Sequence, residues 1–280
     1  MKKIWAHTLV KNEERYLWYA IMSVINYVNK ILIWDTGSTD KTVEIIKKLQ
    51  NKYPHKIIFK EIGEVNIDEF TSVRQQMLDE TKSDWVLILD GDEVWWSDSI
   101  RKVVDTIHKQ GDKLETIVNP YYNIVGDIYH YQEKRAGRYG IDGKVGHYTI
   151  RAMNRKISGL HLDKPHGTQG FFDGKGRLIQ KRPQKFRKFI NAHFMHFTHM
   201  IRSSTLEKDL DVPKRKIKQK IEIGKSFPLD FHYPEVFFKP RPNVILSTWG
   251  NMDRDYYVKA LIQTPLRMLK RRVWQGKVGY

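Results

Sequence analysis

Three carboxylates within four residues give this 280-residue chain a segment that could hold a metal ion. Asp90, Asp92 and Glu93 follow the apolar run 85–89, and Gly91 lets the backbone turn tightly between the first two. Carboxylate oxygens are hard ligands that suit Mg²⁺ or Mn²⁺, and such ions commonly bridge to the diphosphate of a substrate. A solvated acidic turn is the alternative. We interpret the segment as a metal platform because it ends an apolar run.

Two other polar clusters also stand where apolar runs end. Asn12-Glu13 follows the run 3–10, and residues 35–40 follow the run 31–34. In open α/β sheets, ligands bind beyond the carboxyl ends of the strands. Because all three clusters occupy that position, the sequence predicts one shared binding site at this edge of a sheet.

The elements that must carry these clusters alternate between strand-like and helix-like patterns. Predicted strands are 3–10, 31–34, 57–59 and 85–89, and predicted helices are 16–27, a segment that begins at residue 39, and 68–82. Apolar runs without polar alternation, separated by helices, indicate parallel strands buried on both faces. The first half therefore predicts an α/β fold with an open, mostly parallel sheet flanked by helices.

The second half of the chain is less regular. Segments 116–125 and 148–153 resemble strands, 137–146 and 167–176 resemble glycine-rich loops, 193–200 a histidine-rich strand or turn, and 214–225 a charged helix. Pro265 divides the tail, so two short helical pieces are expected there rather than one helix.

Charge and composition narrow the class of protein. Residues 1–130 carry 17 Lys and Arg against 20 Asp and Glu, whereas residues 131–280 carry 32 against 12. A half this basic attracts nucleic acid, anionic lipid or phosphorylated substrates, with a solvated lysine-rich surface as the alternative. The absence of cysteine excludes disulfides, thiolate nucleophiles and cysteine-ligated metals. No run of about 18 apolar residues predicts a membrane-spanning helix, and His7 and Lys11 interrupt the N-terminal run too early for a signal peptide.

The motifs of the first third of the chain resemble those of glycosyltransferase family 2. They are Thr-Leu-Val-Lys-Asn-Glu-Glu at 8–14, Asp-Thr-Gly-Ser-Thr-Asp at 35–40, Arg74, and Asp-Gly-Asp-Glu at 90–93. Their order and spacing are similar to the family's, and segments 151–167 and 196–202 resemble its later parts more weakly. The resemblance implies a GT-A fold, a nucleotide-sugar donor and a divalent metal ion.

The resemblance also implies which residues hold the nucleotide. The implied positions are Thr8, Lys11, Asn12, Glu13 and Asp35, with Gly37, Ser38, Asp40 and Gly91 close by. Acidic and amide groups suit base edges and ribose hydroxyls, which need acceptors and neutral donors. Arg74 would face the nucleotide and pair with phosphate or with Asp90, although a surface arginine is the alternative.

The implied metal site combines carboxylates with a late histidine. Asp90 would contact the ribose or the metal, and Asp92 would ligate the Mn²⁺ or Mg²⁺ ion. The histidine candidates are His193, His196 and His199. If they lie on one strand, alternation separates His196 from the other two. By resemblance we prefer His196.

The catalytic base implied for an inverting sugar transfer is not at its expected position. Relatives place a glutamate directly after the histidine that corresponds to His166, and this chain has Gly167 there. Asp163 is the first candidate for the base, with Asp142 and His166 behind it. The departure weakens the expectation of inversion and leaves a divergent or inactive member as an alternative.

We expect a catalytic domain over 1–205, with a nucleotide-sugar half 1–125 and an acceptor and metal half 126–205, followed by a basic helical extension 206–280. The resemblance implies a glycan, glycolipid or polyprenyl-linked acceptor and a protein in the cytoplasm or peripheral on the cytoplasmic membrane face. The cationic tail with Trp274 fits an anionic membrane surface, or packing on the protein's own core.

Three other functions fit part of the pattern. Nucleic-acid binding would explain the basic half but not the acidic strand ends, which repel phosphate unless metal is present, so a nucleic-acid partner is not expected. A sugar-phosphate nucleotidyltransferase shares an α/β core and metal carboxylates, but usually opens with a glycine-rich loop that residues 10–15 lack. A sugar-binding module without catalysis would account for the missing base.

Overall fold

The computed structural model describes residues 1–66, 68–165, 168–273 and 279. The strands of this part of the chain are β1 (Ile4–Val10), β2 (Lys30–Asp35), β3 (Ile57–Glu61), β4 (Trp85–Ile88), β5 (Glu93–Trp95), β6 (Thr116–Val125), β7 (Asp127–Tyr131), β8 (Tyr139–Ile141), β9 (Lys144–Gly146), β10 (Tyr148–Asn154), β11 (His161–Asp163), β12 (Gly170–Phe172), β13 (Arg187–Phe189), β14 (Phe194–His196) and β15 (Lys225–Ser226). Its helices are α1 (Leu17–Val24), α2 (Thr42–Lys52), α3 (Glu69–Asp79), α4 (Ser97–Gln110), α5 (Leu206–Leu210), α6 (Arg215–Lys218) and α7 (Arg254–Val273). Short 3-10 helices are Lys134–Ala136, Ile179–Lys181, Gln184–Phe186 and Glu235–Phe238.

Four parallel strands in the order β3-β2-β1-β4 form the first part of the sheet. Every residue of β1 and of β4 is buried, as expected for strands covered on both faces. Ile4 and Ala6 share a core with α1, α2 and α4, whereas Trp5 and Leu9 pack on the other face with α3. The α/β fold with flanking helices that the sequence predicts is confirmed.

Beyond β4 the sheet continues with strands of mixed direction. β10 lies antiparallel between β4 and β6, and β7 and β15 extend the sheet beyond β6. β13 and β14 run parallel to β6 along different parts of its length, and β14 also pairs with β5. The prediction for 116–125 matches β6, whereas the first glycine-rich loop contains the short hairpin β8–β9 and the second contains β12, which pairs with β11. Gly143, at a φ of 76°, makes the tight turn of the first hairpin.

The charged helix predicted over 214–225 is wrong beyond its first turn. α6 ends at Lys218, and residues 220–223, which we call the strap, run along α7 instead. The hydroxyl of Tyr256 donates to the carbonyl of Lys220 at 2.9 Å, and the hydroxyl of Thr264 accepts from the backbone N–H of Ile223 at 3.0 Å. Backbone groups that a helix would have paired internally are therefore bonded by α7.

The expected division of the tail at Pro265 is also wrong, because α7 continues through it from Arg254 to Val273. Proline removes one helical hydrogen bond and disfavours the preceding turn. Side chains on both sides of it hold the same strap, since Tyr256 precedes Pro265 and Arg267 follows it. These contacts keep both halves in one helix. No helix among the described residues has the length and apolar character needed to cross a bilayer.

Candidate active site

A cleft of about 1360 Å³ opens beyond the carboxyl ends of β1, β2 and β4. Val10, Thr36 and Ile88, at or next to those strand ends, line it. This is the edge at which an open α/β sheet binds ligands. From there the cleft extends past β14 to the strap and α7. Its two ends are therefore separated along the strand order of the sheet.

The middle of the cleft contains a cluster of acidic side chains and a histidine. Asp90, Glu93 and His196 each offer one ligand atom, and these atoms lie within 4.8 Å of one another. Asp92 adjoins them, with its Oδ2 3.6 Å from Nε2 of His196. The antiparallel pairing of β14 with β5 sets His196 opposite Glu93, and the N–H of Phe197 donates to the carbonyl of Asp92 at 2.9 Å. Backbone pairing therefore brings the distant histidine to the acidic turn.

Gly91 allows the acidic turn to lie against the end of β1. A Cβ at this position would stand 3.1 Å from Cγ1 of Val10 and 3.1 Å from Cγ of Glu13. Both distances are tighter than ordinary van der Waals contact, so a side chain would push the turn and the loop after β1 apart. The absence of a side chain sets the spacing of Asp90 and Asp92 relative to that loop.

Two arginines neutralise Asp90. Nη2 of Arg74 lies 3.3 Å from its Oδ1, and Nη2 of Arg151 lies 3.2 Å from its Oδ2. Burial alone would raise the pKa of Asp90, but Arg151 and Arg74 hold it below its usual value, so the group is ionised at neutral pH. Arg151 also pairs with Glu93, where burial outweighs the arginine and raises the pKa well above its usual value.

A second ionic group joins Asp92 to the loop after β1. Nη1 of Arg202 lies 2.8 Å from Oδ2 of Asp92 and 3.1 Å from Oε1 of Glu13. Arg215 also pairs with Glu13 and donates to the carbonyl of Asn12 at 2.6 Å. Burial raises the pKa of Glu13 to about 7 in spite of both arginines. Chain beyond residue 200 thus supplies the cations that pair with Asp92 and Glu13.

The donor atoms of the cluster fit a hard divalent metal ion. Burial lowers the pKa of His196 to about 4, so its imidazole is neutral at pH 7 and free to ligate. Within the described part of the chain, Oδ1 of Asp92 and Nδ1 of His196 are buried without a hydrogen-bond partner. Carboxylate oxygens and one imidazole are ligands that suit Mn²⁺ or Mg²⁺.

Comparison with protein families adds independent information. The model described as Glycosyl transferase family 2 matches residues 7–210, well over half of the chain. The chain belongs to glycosyl transferase family 2. The resemblance carried by the motifs at 8–14, 35–40 and 90–93 is therefore confirmed.

Curated relatives in this family match a limited part of the chain. An uncharacterised glycosyltransferase of Rickettsia typhi is 37% identical over 93 residues, which cover 33% of this chain and 29% of the relative. Its counterpart in Rickettsia felis is 34% identical over 93 residues, 33% of this chain and 30% of the relative. The chain thus spans less than a third of the length of these relatives.

Solved structures with a similar arrangement include three glycosyltransferases. Glucosyl-3-phosphoglycerate synthase from Mycobacterium tuberculosis, solved with Mn²⁺, UDP-glucose and phosphoglyceric acid, is 16% identical at a TM-score of 0.46, over 70% of this chain and 71% of that one. TarS from S. aureus is 13% identical at 0.43, over 70% and 36%. A mannosyltransferase from Pyrobaculum calidifontis, solved with GDP-Man and Mn²⁺, is 14% identical at 0.40, over 56% and 45%.

In this member of the family, the residues expected to bind the nucleotide separate into two groups. The members that line the cleft are Lys11, Glu13, Arg74, Asp90 and Gly91. The members that do not line it are Thr8, Asn12, Asp35, Gly37, Ser38 and Asp40. The first group lies along the cleft from the loop after β1 to the acidic cluster.

The second group holds the loop after β2 in shape. The carboxylate of Asp35 accepts from the backbone N–H of Gly37 at 3.0 Å and of Ser38 at 2.9 Å, and Gly37 has a φ of 82°. The hydroxyl of Ser38 in turn accepts from the N–H of Asn12 at 2.8 Å. The carboxylate of Asp40 accepts from the N–H of Thr42, the first residue of α2, at 2.9 Å. Thr8 is buried within β1. The contacts of Asn12, Asp35, Ser38 and Asp40 shape the backbone that borders the cleft.

The three histidine candidates lie in three different environments. His196 lies in the acidic cluster, as preferred from the sequence. His193 stacks on Tyr122 with ring centroids 4.9 Å apart, in a separate shallow pocket. His199 lines the cleft but contacts Asn123, whose Nδ2 is 2.9 Å from its Nε2. The structure brings only one of these three side chains to the carboxylates.

None of the candidates for the catalytic base lies among the described residues of the cleft wall. Asp163 is exposed and its carboxylate accepts from the N–H of Lys164 at 2.7 Å. Asp142 pairs with Arg187 in the turn of the β8–β9 hairpin. His166 falls outside the described residues.

Sequence reasoning placed Lys11 and Arg74 at the site but did not predict the rest of its basic lining. Twelve lysines and arginines of the described chain line the cleft, against the carboxylates Glu13, Asp90 and Asp92. Arg151 gave a readable signal, since a charged residue inside the apolar strand 148–153 needs a buried partner. Arg202 lies in an irregular segment and Arg215 begins the short helix α6, and neither gave such a signal. At the far end of the cleft the basic residues are Arg138, Lys218, Lys220, Arg267, Lys270 and Arg271.

Proposed function

We propose that the protein transfers a sugar from a nucleoside-diphosphate sugar to an acceptor hydroxyl, with Mn²⁺ or Mg²⁺ held by Asp90, Asp92 and His196. The observation that carries this proposal is the convergence of these side chains, with Glu93, in a cleft at the carboxyl ends of the strands. Membership of glycosyl transferase family 2 supports the same reaction. The metal, when bound, would neutralise charge on the departing diphosphate.

The nucleotide is proposed to occupy the end of the cleft formed by the loops after β1, β2 and β3. Lys11 and Thr36 line that end together with Phe70 of α3. Arg74 lies at its border with the acidic cluster, 3.3 Å from Asp90. A guanidinium in this position can exchange its carboxylate partner for a phosphate oxygen when the donor enters. Asn12 and Asp35 would act by fixing the loop backbone.

An inverting transfer also needs a base on the acceptor side of the sugar. The described carboxylates that line the cleft all belong to the metal end, where they pair with arginines. Lys164 and Thr168, which follow β11, line the cleft beside α3, and on this proximity to the cleft we propose Asp163 as the base ahead of Asp142 and His166. Asp163→Asn should lower kcat by about 10²-fold or more with little change in stability. Asp142→Asn is the comparison, because it removes the charge that pairs with buried Arg187 and should lower stability first. Equal kcat in Asp163→Asn and the unmodified protein would remove Asp163 from this role.

The acceptor is proposed to be a glycan or lipid-linked saccharide that carries an anionic group. Lys218, Lys220 and Arg267 line the acceptor end of the cleft, and burial lowers the pKa of Lys220, with a further contribution from the neighbouring Arg267 and Arg271. Like charges held this close favour an anionic ligand that separates them. Phosphate or carboxylate beside the reacting hydroxyl would provide it.

The decisive experiment measures release of nucleoside diphosphate from a panel of sugar nucleotides, with and without Mn²⁺. Asp92→Asn should reduce Mn²⁺-dependent turnover by about 10²-fold or more, because one ligand and its charge are lost. Asp230→Asn, at an exposed aspartate away from the cleft, is the matched control. Full activity in Asp92→Asn would remove the metal assignment. Formation of a sugar nucleotide from a nucleoside triphosphate and a sugar phosphate would identify a nucleotidyltransferase instead.

A further inference from the structure

The last helix, α7, turns its apolar face away from the protein. The side chains of this apolar face are between 49% and 79% exposed, and they are Val258, Leu261, Ile262, Leu266, Leu269 and Val273. Their spacing of three and four residues puts them on one side of the helix. A surface helix usually buries such a stripe, so its exposure along a 20-residue helix indicates a binding surface.

The opposite, polar face of α7 is the one that packs. Tyr256 and Arg267 donate to strap carbonyls at 2.9 and 3.1 Å, and Thr264 accepts from the strap at 3.0 Å. Arg271 pairs with Glu222 and Glu133. Specific hydrogen bonds and ion pairs therefore fix the rotation of the helix, and the exposure of the apolar face is not a consequence of loose packing.

Cations border the apolar face on both sides. At roughly 100° per residue, Arg254 and Arg272 fall along one margin, and Lys259 and Lys270 fall along the other. An apolar stripe between two rows of cations is complementary to an anionic lipid surface, where acyl chains meet the stripe and headgroups meet the cations. Two copies of the chain joined through this face would instead bring these four cations against each other.

We propose that α7 docks the protein on an anionic membrane, lying in the interface with its apolar face toward the lipid. Arg267 and Arg271 on the other side of the same helix line the acceptor end of the cleft. Docking therefore holds that end at the bilayer surface, where a lipid-linked acceptor would enter. This consequence for the acceptor rests on the proposed glycosyltransferase function, whereas docking itself does not.

The first test is co-sedimentation with vesicles of phosphatidylcholine alone or mixed with phosphatidylglycerol. The double variant Ile262→Ser/Leu269→Ser should bind the anionic vesicles at least about tenfold more weakly. Ile217→Ser/Leu229→Ser is the matched control, because both side chains are exposed apolar residues outside α7. Equal binding by the two double variants would overturn the proposal. So would sedimentation velocity that shows a dimer of the unmodified chain which Ile262→Ser/Leu269→Ser dissociates.

A charge-matched pair tests the anionic preference. Lys259→Gln/Arg272→Gln should lose affinity for anionic vesicles, whereas Lys82→Gln/Lys175→Gln, which removes two exposed lysines elsewhere, should bind like the unmodified protein. Equal losses in both pairs would show general charge attraction and contradict docking through α7.

The absence of cysteine permits a direct measurement of insertion. An environment-sensitive dye on Ile262→Cys should shift its emission to the blue with anionic vesicles, and the same dye on Lys175→Cys should not. Unchanged emission at both positions would refute insertion.

Stabilisation by nucleoside diphosphate with Mn²⁺ should be equal in the unmodified protein and in Ile262→Ser/Leu269→Ser. If the unmodified protein does not dock but is stabilised by nucleoside diphosphate with Mn²⁺, this inference fails and the proposed function stands. If it docks but is not stabilised, the proposed function fails and this inference stands.

Discussion

Arg202 donates from Nη1 to Oδ2 of Asp92 over 2.8 Å, joining two residues that are 110 positions apart in the chain. The same nitrogen lies 3.1 Å from Oε1 of Glu13. Burial alone would raise the pKa of Asp92, but Arg202 and His196 bring it below its usual value. One guanidinium thus keeps a proposed metal ligand ionised in a buried site.

Replacement of Arg202 by methionine should destabilise the protein. The change leaves two neighbouring carboxyl groups in a buried site without their shared cation, and breaking such a pair costs about 3 kcal/mol of unfolding free energy. Urea denaturation measures the loss. Added Mn²⁺ should recover part of it, because a bound cation restores positive charge beside Asp92. Arg101→Met is the control, since its ion pair with Asp98 is exposed and screened by solvent, so its loss should change stability much less. Equal stability of the two variants would contradict this account of the pair.

Gly91→Ala should impair the site more than the fold. The new Cβ would press on Val10 and Glu13 at 3.1 Å, so the acidic turn must shift by a few tenths of an ångström. Displacement of metal ligands on this scale should lower turnover by about tenfold or more. Initial rates at saturating Mn²⁺ and donor measure it.

The matched control for Gly91→Ala is Gly250→Ala. A Cβ at Gly250 meets no atom within 4 Å, and its backbone needs no left-handed conformation. Its turnover and melting temperature should both stay at the level of the unmodified protein. Full turnover in Gly91→Ala would show that the close approach to β1 has no role in the reaction.

The parallel core was predictable because its strands are apolar without interruption. β1 and β4 are buried on both faces, so burial and sequence pattern coincide. The 3-residue strands β13 and β14 have no such signature, because pairing with β6, and for β14 also with β5, defines them. The prediction of a break at Pro265 was wrong for a related reason, because contacts with the strap outweigh the tendency of proline to interrupt a helix.

The same difference explains which parts of the candidate site could be predicted. Asp90 and Asp92 lie two residues apart at the end of a predicted strand, so local sequence was enough to group them. Arg202 reaches the site from irregular chain and Arg215 from the first residue of α6, and only tertiary packing brings them to Glu13. Spacing along the sequence carries no record of such partners.

Pro265→Ala should stabilise α7 locally. Proline lacks the N–H that would bond to the carbonyl of Leu261, and an alanine restores it. Hydrogen exchange in α7 should slow by about fivefold. Tyr256→Phe should do the reverse in both α7 and the strap, because its hydroxyl bonds to the backbone of Lys220 and Glu222. Exchange rates unchanged in both variants would mean that the strap does not hold the helix.

His7 should make stability depend on pH in mildly acidic solution. Burial, with Arg74 and Arg155, lowers its pKa to about 3, and Nε2 lies 2.6 Å from the hydroxyl of Thr81. The unfolded state, with a pKa of about 6.5, binds more protons between these two values, so stability falls as pH drops from about 6.5 toward 3. From pH 7 to pH 5 this histidine alone should cost about 2 kcal/mol of unfolding free energy. Urea denaturation at both pH values measures the loss of unfolding free energy. The loss should be smaller by about this amount in His7→Gln and unchanged in His55→Gln, where the replaced histidine is exposed. The same pH dependence in all three proteins would mean that His7 is not held neutral by the fold.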